Sequence, residues 1–159
     1  MNGCLLIDKP KGITSANCVY QLRKSLGIKK IGHCGTLDPL ATGLLPICIG
    51  EATKFSSFML DLDKTYEVDI RFGIETDTGD IDGEIISKSE NHFNQIELKN
   101  VLRSFEGPQD QIPPMYSAIK NKGKPLYWWA RKGIFLLRQE RNINTVSYTH
   151  LTLPTKRIV

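Results

Sequence analysis

The sequence predicts a mixed α+β domain, and three observations carry that expectation. Strand-like and helix-like segments are interleaved, without the regular spacing of a doubly wound parallel sheet. One segment, TYEVDIRFG (65 to 73), alternates apolar and polar residues strictly. Two others, SANCVYQLRKSL (15 to 26) and NQIELKNVLRSF (94 to 105), space their apolar residues as a helix does. With 159 residues, 40% of them hydrophobic, the chain amounts to one domain and can bury roughly two thirds of its unfolded surface.

Taken in order, GCLLIDK (3 to 9) is a short apolar run ending at Lys-Pro, a strand that feeds a loop. In the first helix Ser15, Cys18, Val19, Leu22 and Leu26 share one face, with Thr14 or Ser15 as cap and Gly27 as stop. GHCGTLDPLATG (32 to 43) is too rich in Gly, Thr and Pro for helix or strand, so it is a shaped loop. GLLPICIG (43 to 50) reads as a buried strand, and 51 to 60 as a short helix with Ala52, Phe55 and Met59 inward. The alternating strand then puts Tyr66, Val68, Ile70 and Phe72 on one face, and Thr65, Glu67, Asp69 and Arg71 on the other.

TDTGDIDGEII (76 to 86) is an acidic, turn-rich loop that returns to a strand. A calcium-loop frame begun at Thr78 puts Ser89 where a bidentate Glu belongs, so calcium binding has little support. The second helix opens on a capping-box pattern, Asn94 and Glu97, and lines up Leu98, Val101, Leu102 and Phe105. PPMYSAIK (113 to 120) reads as a loop entering a strand, and KPLYWWARKG (124 to 133) as a short aromatic helix stopped by Gly133.

Several function classes fall away. Apolar runs such as LLPICI (44 to 49) are far shorter than the roughly 20 residues of a membrane span, and the N-terminus has no secretory layout, so the expectation is a soluble cytoplasmic protein. Cys4, Cys18, Cys34 and Cys48 include no C-x-x-C pair and read as free thiols, not as a zinc site. No phosphate-binding GxxxxGK[ST] loop, dinucleotide GxGxxG or HExxH helix is present. Net charge is only +4, but it is uneven: residues 1 to 60 hold seven Lys/Arg against three Asp/Glu, 61 to 110 five against thirteen, and 111 to 159 nine against one. If folding brought the two basic blocks to one face, they would form a field suited to a phosphate backbone.

The shaped loop holds a single carboxylate, Asp38, five residues after His33. An aspartate in water at neutral pH is an anion able to attack carbon, abstract a proton or stabilise a cation. Ordinary glycoside hydrolysis uses two carboxylates, whereas breaking a glycosidic bond without adding water could manage with one. The competing reading is structural: Asp38 caps a helix whose first residue is Pro39.

The stretch GHCGTLDPLATGLLPICIGEATK (32 to 54) resembles the catalytic block of the TruB family of tRNA pseudouridine synthases, roughly G-H-x-G-x-L-D-P-x-A-T-G. GCLLIDKPKGITS (3 to 15), DKTYEVDIRFGIETDTGDIDG (63 to 83) and IPPMYSAIKNKGKPLYWWARKGI (112 to 134) resemble its other blocks, in the same order. The resemblance implies the pseudouridine synthase fold, a mixed, largely antiparallel sheet flanked by helices and loops. It implies conversion of the T-loop uridine of tRNA, position 55 in tRNA numbering, to pseudouridine, with no cofactor and no metal.

By the same resemblance Asp38 is the catalytic aspartate, Tyr66 the tyrosine that stacks on the target base, and His33 the histidine that contacts the substrate loop. The competing structural readings, Tyr66 as an inward aromatic on a strand and His33 as a structural hydrogen-bonder, carry less weight once the motif matches. Lys9 and Lys11 suit phosphate contact or support of the catalytic loop. The expected partner is the tRNA T-stem loop, bound by a monomer without membrane or metal.

Two features depart from the family pattern. No K-G-T-Y-I-R type motif, whose arginine would pair with the catalytic aspartate, occurs in the chain. From about Thr145 the sequence TVSYTHLTLPTKRIV resembles translated sequencing-adapter DNA. The expectation is an N-terminal part of the catalytic domain at 1 to 145 and an artefactual tail at 146 to 159, with Leu5, Ile7, Leu45 and Ile47 partly wet on an incomplete sheet.

Overall fold

The computed structural model describes residues 1 to 90 and 94 to 148, so most of the tail expected at 146 to 159 lies outside the described residues. The chain divides into two units, Met1–Val68 and a second beginning at Asp69.

The first unit is built on a three-stranded antiparallel sheet in the order β1 (Gly3–Lys9), β3 (Gly43–Ile49), β2 (Ile31–His33). Alternation along β3 turns Leu45, Ile47 and Ile49 toward helix α1 (Ser15–Leu26), where they pack with Cys18, Val19 and Ile31. Of the four residues expected to be partly wet, Leu5 is 39% exposed and Ile7 half-buried, but Leu45 and Ile47 are 1% and 0% exposed, which corrects the expectation for those two. Each such side chain contributes about 1.5–3 kcal/mol of burial. Leu6 and Leu44 are more open, each 63% exposed. By the same alternation they belong to the opposite face of the sheet.

Helix α1 has the expected bounds, with the Thr14 side chain accepting from the Asn17 N–H and Gly27 closing the end in the left-handed region. Ser15, Cys18 and Val19 are buried as expected, but Leu26 is 42% exposed. Periodicity sets the direction of a side chain without supplying a neighbour opposite it. After β3 the chain winds as a 3-10 helix (Gly50–Phe55) and then as α2 (Ser56–Leu60), not as one helix. Phe55, expected inward, is exposed, while Ala52 and Met59 are half-buried.

The strongest strand signal in the sequence is not realised. Residues 63 to 71 carry no regular secondary structure, and Tyr66, Val68 and Ile70 are each more than 60% exposed. Alternation gives a segment two faces, but a strand exists only within a ladder, and no described residue pairs with this one.

In the second unit β4 (Ile74–Thr76) and β5 (Ile85–Lys88) form a hairpin around the acidic loop. The loop satisfies itself: Asp80 accepts from the Thr78 hydroxyl at 2.7 Å and the Asp82 N–H at 3.0 Å, and Asp77 accepts from the Glu84 N–H at 2.8 Å. Helix α3 (Gln95–Ser104) carries the expected capping box between Asn94 and Glu97. Only Leu98 of its expected apolar face is buried. Strand β6 (Gly107–Gln111) pairs with β9 (Arg141–Thr145), and the short pair β7 (Lys120–Asn121) and β8 (Lys124–Pro125) leads into α4 (Leu126–Ala130). Met115, Leu126 and Ala130 form a small core there. All strand pairings among the described residues are antiparallel, and no described helix is long and apolar enough to cross a membrane.

Candidate active site

Asp38 sits on the loop joining β2 to β3, and the chain fastens that loop on both sides of it. On the N-terminal side the buried Ser15 hydroxyl donates to the Leu37 carbonyl and accepts from the Leu37 N–H, both at 3.0 Å. Leu37 also rests its side chain on the first core. On the C-terminal side the Pro39 carbonyl accepts from the Gly12 N–H at 2.7 Å and from the Lys9 ammonium at 3.4 Å. Gly35 and Gly43, at φ 116° and 114°, let the chain leave and rejoin the sheet through backbone conformations that a Cβ would strain.

Lys9 is fully buried, with Nζ also donating to the carbonyls of Pro10 at 3.0 Å and Ile13 at 2.8 Å. An ammonium has three protons, and three carbonyls accept here, which is how a buried cation is tolerated. These bonds engage the Lys9 ammonium with the backbone on the C-terminal side of Asp38 and with the chain just after β1. Lys11 is exposed.

The Asp38 side chain is exposed, and among the described residues it has no hydrogen bond and no ion pair. Residues 39 to 42 form no helix, so Asp38 caps none; its own carbonyl accepts from the Ala41 N–H at 3.1 Å in a tight turn. His33, on β2 opposite Ile47, is half-buried, and its Nδ1 is buried without a partner among the described residues. Tyr66, 68% exposed, is not tied into this network. Lys9, Ser15, Leu37, Asp38 and Pro39 are thus brought together, whereas Tyr66 is not built in. Ser15 was legible only as a cap or inward helix residue; a hydroxyl on the apolar face was the signal that it needs a polar partner. No group of three His, Cys, Asp or Glu placed to hold a metal occurs among the described residues.

The first unit is an antiparallel α+β unit that offers one open carboxylate on a glycine-bounded, clamped loop, and comparison with known proteins gives the chain a family. The sequence profile described as TruB family pseudouridylate synthase (N terminal domain) matches residues 23 to 158, and the chain belongs to that family. It is 52% identical over 143 residues to tRNA pseudouridine synthase B of Chromobacterium violaceum, covering 90% of this chain and 47% of that protein. It is 51% identical over 144 residues to the protein of the same name from Blochmanniella pennsylvanica, covering 91% of this chain and 55% of the relative. The chain thus spans about half the length of the curated relatives it matches. Among solved structures, "Crystal Structure of a Cbf5-Nop10-Gar1 Complex" contains a chain similar in fold, with TM-score 0.53 and 23% identity over 89% of this chain and 33% of that one.

Proposed function

We propose that this chain serves the isomerisation of a uridine in tRNA to pseudouridine, with Asp38 as the catalytic carboxylate and the T-loop uridine as target, in the cytoplasm and as a monomer. Family membership and the relatives' names support the reaction. The observation that carries the residue assignment is an open, unpartnered Asp38 carboxylate on a loop held from both sides.

In this reading the uridine is everted from its folded loop, at a cost of a few kcal/mol, and Tyr66 and His33 receive it. Asp38 attacks the ribose C1′ or removes a ribose proton, and the N1–C1′ bond breaks. The base turns and its C5 bonds to C1′; the C5 proton leaves to water, N1 gains one, and no atom is gained or lost overall. Holding the backbone on each side of Asp38 before substrate arrives reduces the ordering cost of this geometry. In the second unit Trp128, with the ammonium groups of Lys132 at 3.9 Å and Lys124 at 5.5 Å from its ring, offers RNA both a stacking face and cations.

The test is tritium release from C5-labelled uridine in a T-arm RNA. Release by the chain, reduced about 10²–10⁴-fold in Asp38→Asn, is expected; undiminished release in that variant overturns the assignment. A second reading, RNA binding without turnover, is favoured by the lack of any described cation paired with Asp38. It predicts salt-dependent T-arm binding and no release.

A further inference from the structure

Three of the four cysteines of the first unit form a chain of neighbouring sulfurs from solvent to the base of the Asp38 loop. Cys4 on β1 is exposed and stands directly opposite Cys48 of β3 in the register, with the two Sγ atoms 3.8 Å apart. Cys48 is completely buried, and alternation turns it away from the face that Leu45, Ile47 and Ile49 give to α1. Its Sγ lies 3.1 Å from that of Cys34 and 3.7 Å from the Met59 thioether. Cys34, buried, is the residue after His33, and its N–H donates to the Pro46 carbonyl at 2.8 Å. All of these cysteines are free thiols. The fourth, Cys18, packs with the core on α1.

We infer that Cys4, Cys48 and Cys34 form a thiol relay that takes up a low-molecular-weight disulfide at the surface and ends as a Cys34–Cys48 cystine, locking the start of the Asp38 loop to β3. The Cys4 thiolate attacks one sulfur of a disulfide such as oxidised glutathione; the glutathione S–S bond breaks, a Cys4–glutathione bond forms and one glutathione thiolate leaves. Cys48 attacks the Cys4 sulfur, and the second glutathione thiolate leaves. Cys34 attacks the Cys48 sulfur, a Cys34–Cys48 bond forms and Cys4 departs as a thiolate. Two protein thiols are oxidised, one disulfide is reduced to two thiols, and the two glutathione thiolates take the protons.

The geometry favours this order. Only Cys4 is open to a disulfide in solution, only Cys48 touches both other thiols, and the Cys34 backbone is already anchored beside β3, so closing the final bond asks mainly for side-chain rotation. The hydrogen bond to Cys48 raises the Cys4 pKa, and burial raises that of Cys48, so the attacking thiolate is a minor species and the exchange quickens as pH rises. The finished bond, lying between two buried residues, is shielded from reductant.

The test is incubation of the full reduced chain with oxidised glutathione, quenching by alkylation, and peptide mapping by mass spectrometry. The expected product links Cys34 to Cys48 and leaves Cys4 and Cys18 alkylated. Cys34→Ser should stop at a Cys4–Cys48 bond, and Cys4→Ser should form the buried bond at least about tenfold more slowly, since thiol exchange requires access. A wild-type product that is a Cys4–glutathione adduct alone, a Cys4–Cys48 bond alone, a bond involving Cys18, or four unmodified thiols overturns the inference. The wild-type map decides this even if a variant fails to fold.

Discussion

The Ser15 hydroxyl closes a two-way clamp on the Leu37 backbone, donating to its carbonyl and accepting from its N–H at 3.0 Å each, so the first turn of α1 fixes the chain immediately before Asp38. Ser15→Ala removes the partner of both the Leu37 N–H and the Leu37 carbonyl. The expected loss is about 1–3 kcal/mol of stability. Turnover should fall further than unfolding explains, because the loop loses its hold on one side; thermal melting and tritium release on the same samples check this.

Lys9 supplies the clamp on the other side. If it supports the loop, Lys9→Met destabilises the chain by about 1.5–3 kcal/mol, the range for hydrogen bonds that involve a charged group, since the three that its ammonium donates to Pro10, Ile13 and Pro39 are lost. It should leave the slope of log K against log salt for T-arm RNA unchanged. A lysine in contact with phosphate would instead lower that slope by about one.

Tyr66 separates binding from folding. Its side chain is exposed and outside any sheet, so Tyr66→Ala should shift stability by less than about 0.5 kcal/mol. If the ring stacks on the everted base, the same change should cut turnover between about 5- and 150-fold, the equivalent of one lost stacking contact.

Glu51 accepts from Lys30 and pairs with Lys54, both at 2.6 Å, and the hydrogen bond to Lys30, then that to Lys54, holds its carboxyl below the ordinary glutamate range. A lowered folded-state pKa means the pair stabilises the fold above the unfolded glutamate's pKa and loses that contribution as pH falls through the folded value. Side-chain NMR titration should find Glu51 depressed in the wild type and returned toward the ordinary range in Lys30→Met.

Much of this was legible in the sequence where local chemistry decides structure. The Thr14 and Asn94 caps, the Gly27 stop and the apolar runs of β1 and β3 are fixed by neighbours a few residues away, and the structure realises them. Long-range partners were not legible. Residues 65 to 71 have the alternation of a strand but no described ladder, while GPQDQ and RNINT lack alternation and still pair, with Gln109 opposite Ile143. In the site, Asp38 stood out by its setting, but the Ser15 clamp joins residues 22 positions apart, which no local pattern records.

The central claim is that a loop clamped on both sides presents the Asp38 carboxylate to the sugar of an everted uridine. A structure of the chain bound to a T-arm RNA tests it most directly. The account predicts an Asp38 carboxylate oxygen within about 3.5 Å of the target ribose C1′ or C2′, with the Ser15 and Lys9 hydrogen bonds intact. A target base still stacked in its loop, or an Asp38 carboxylate turned back onto amides of its own backbone, would contradict it.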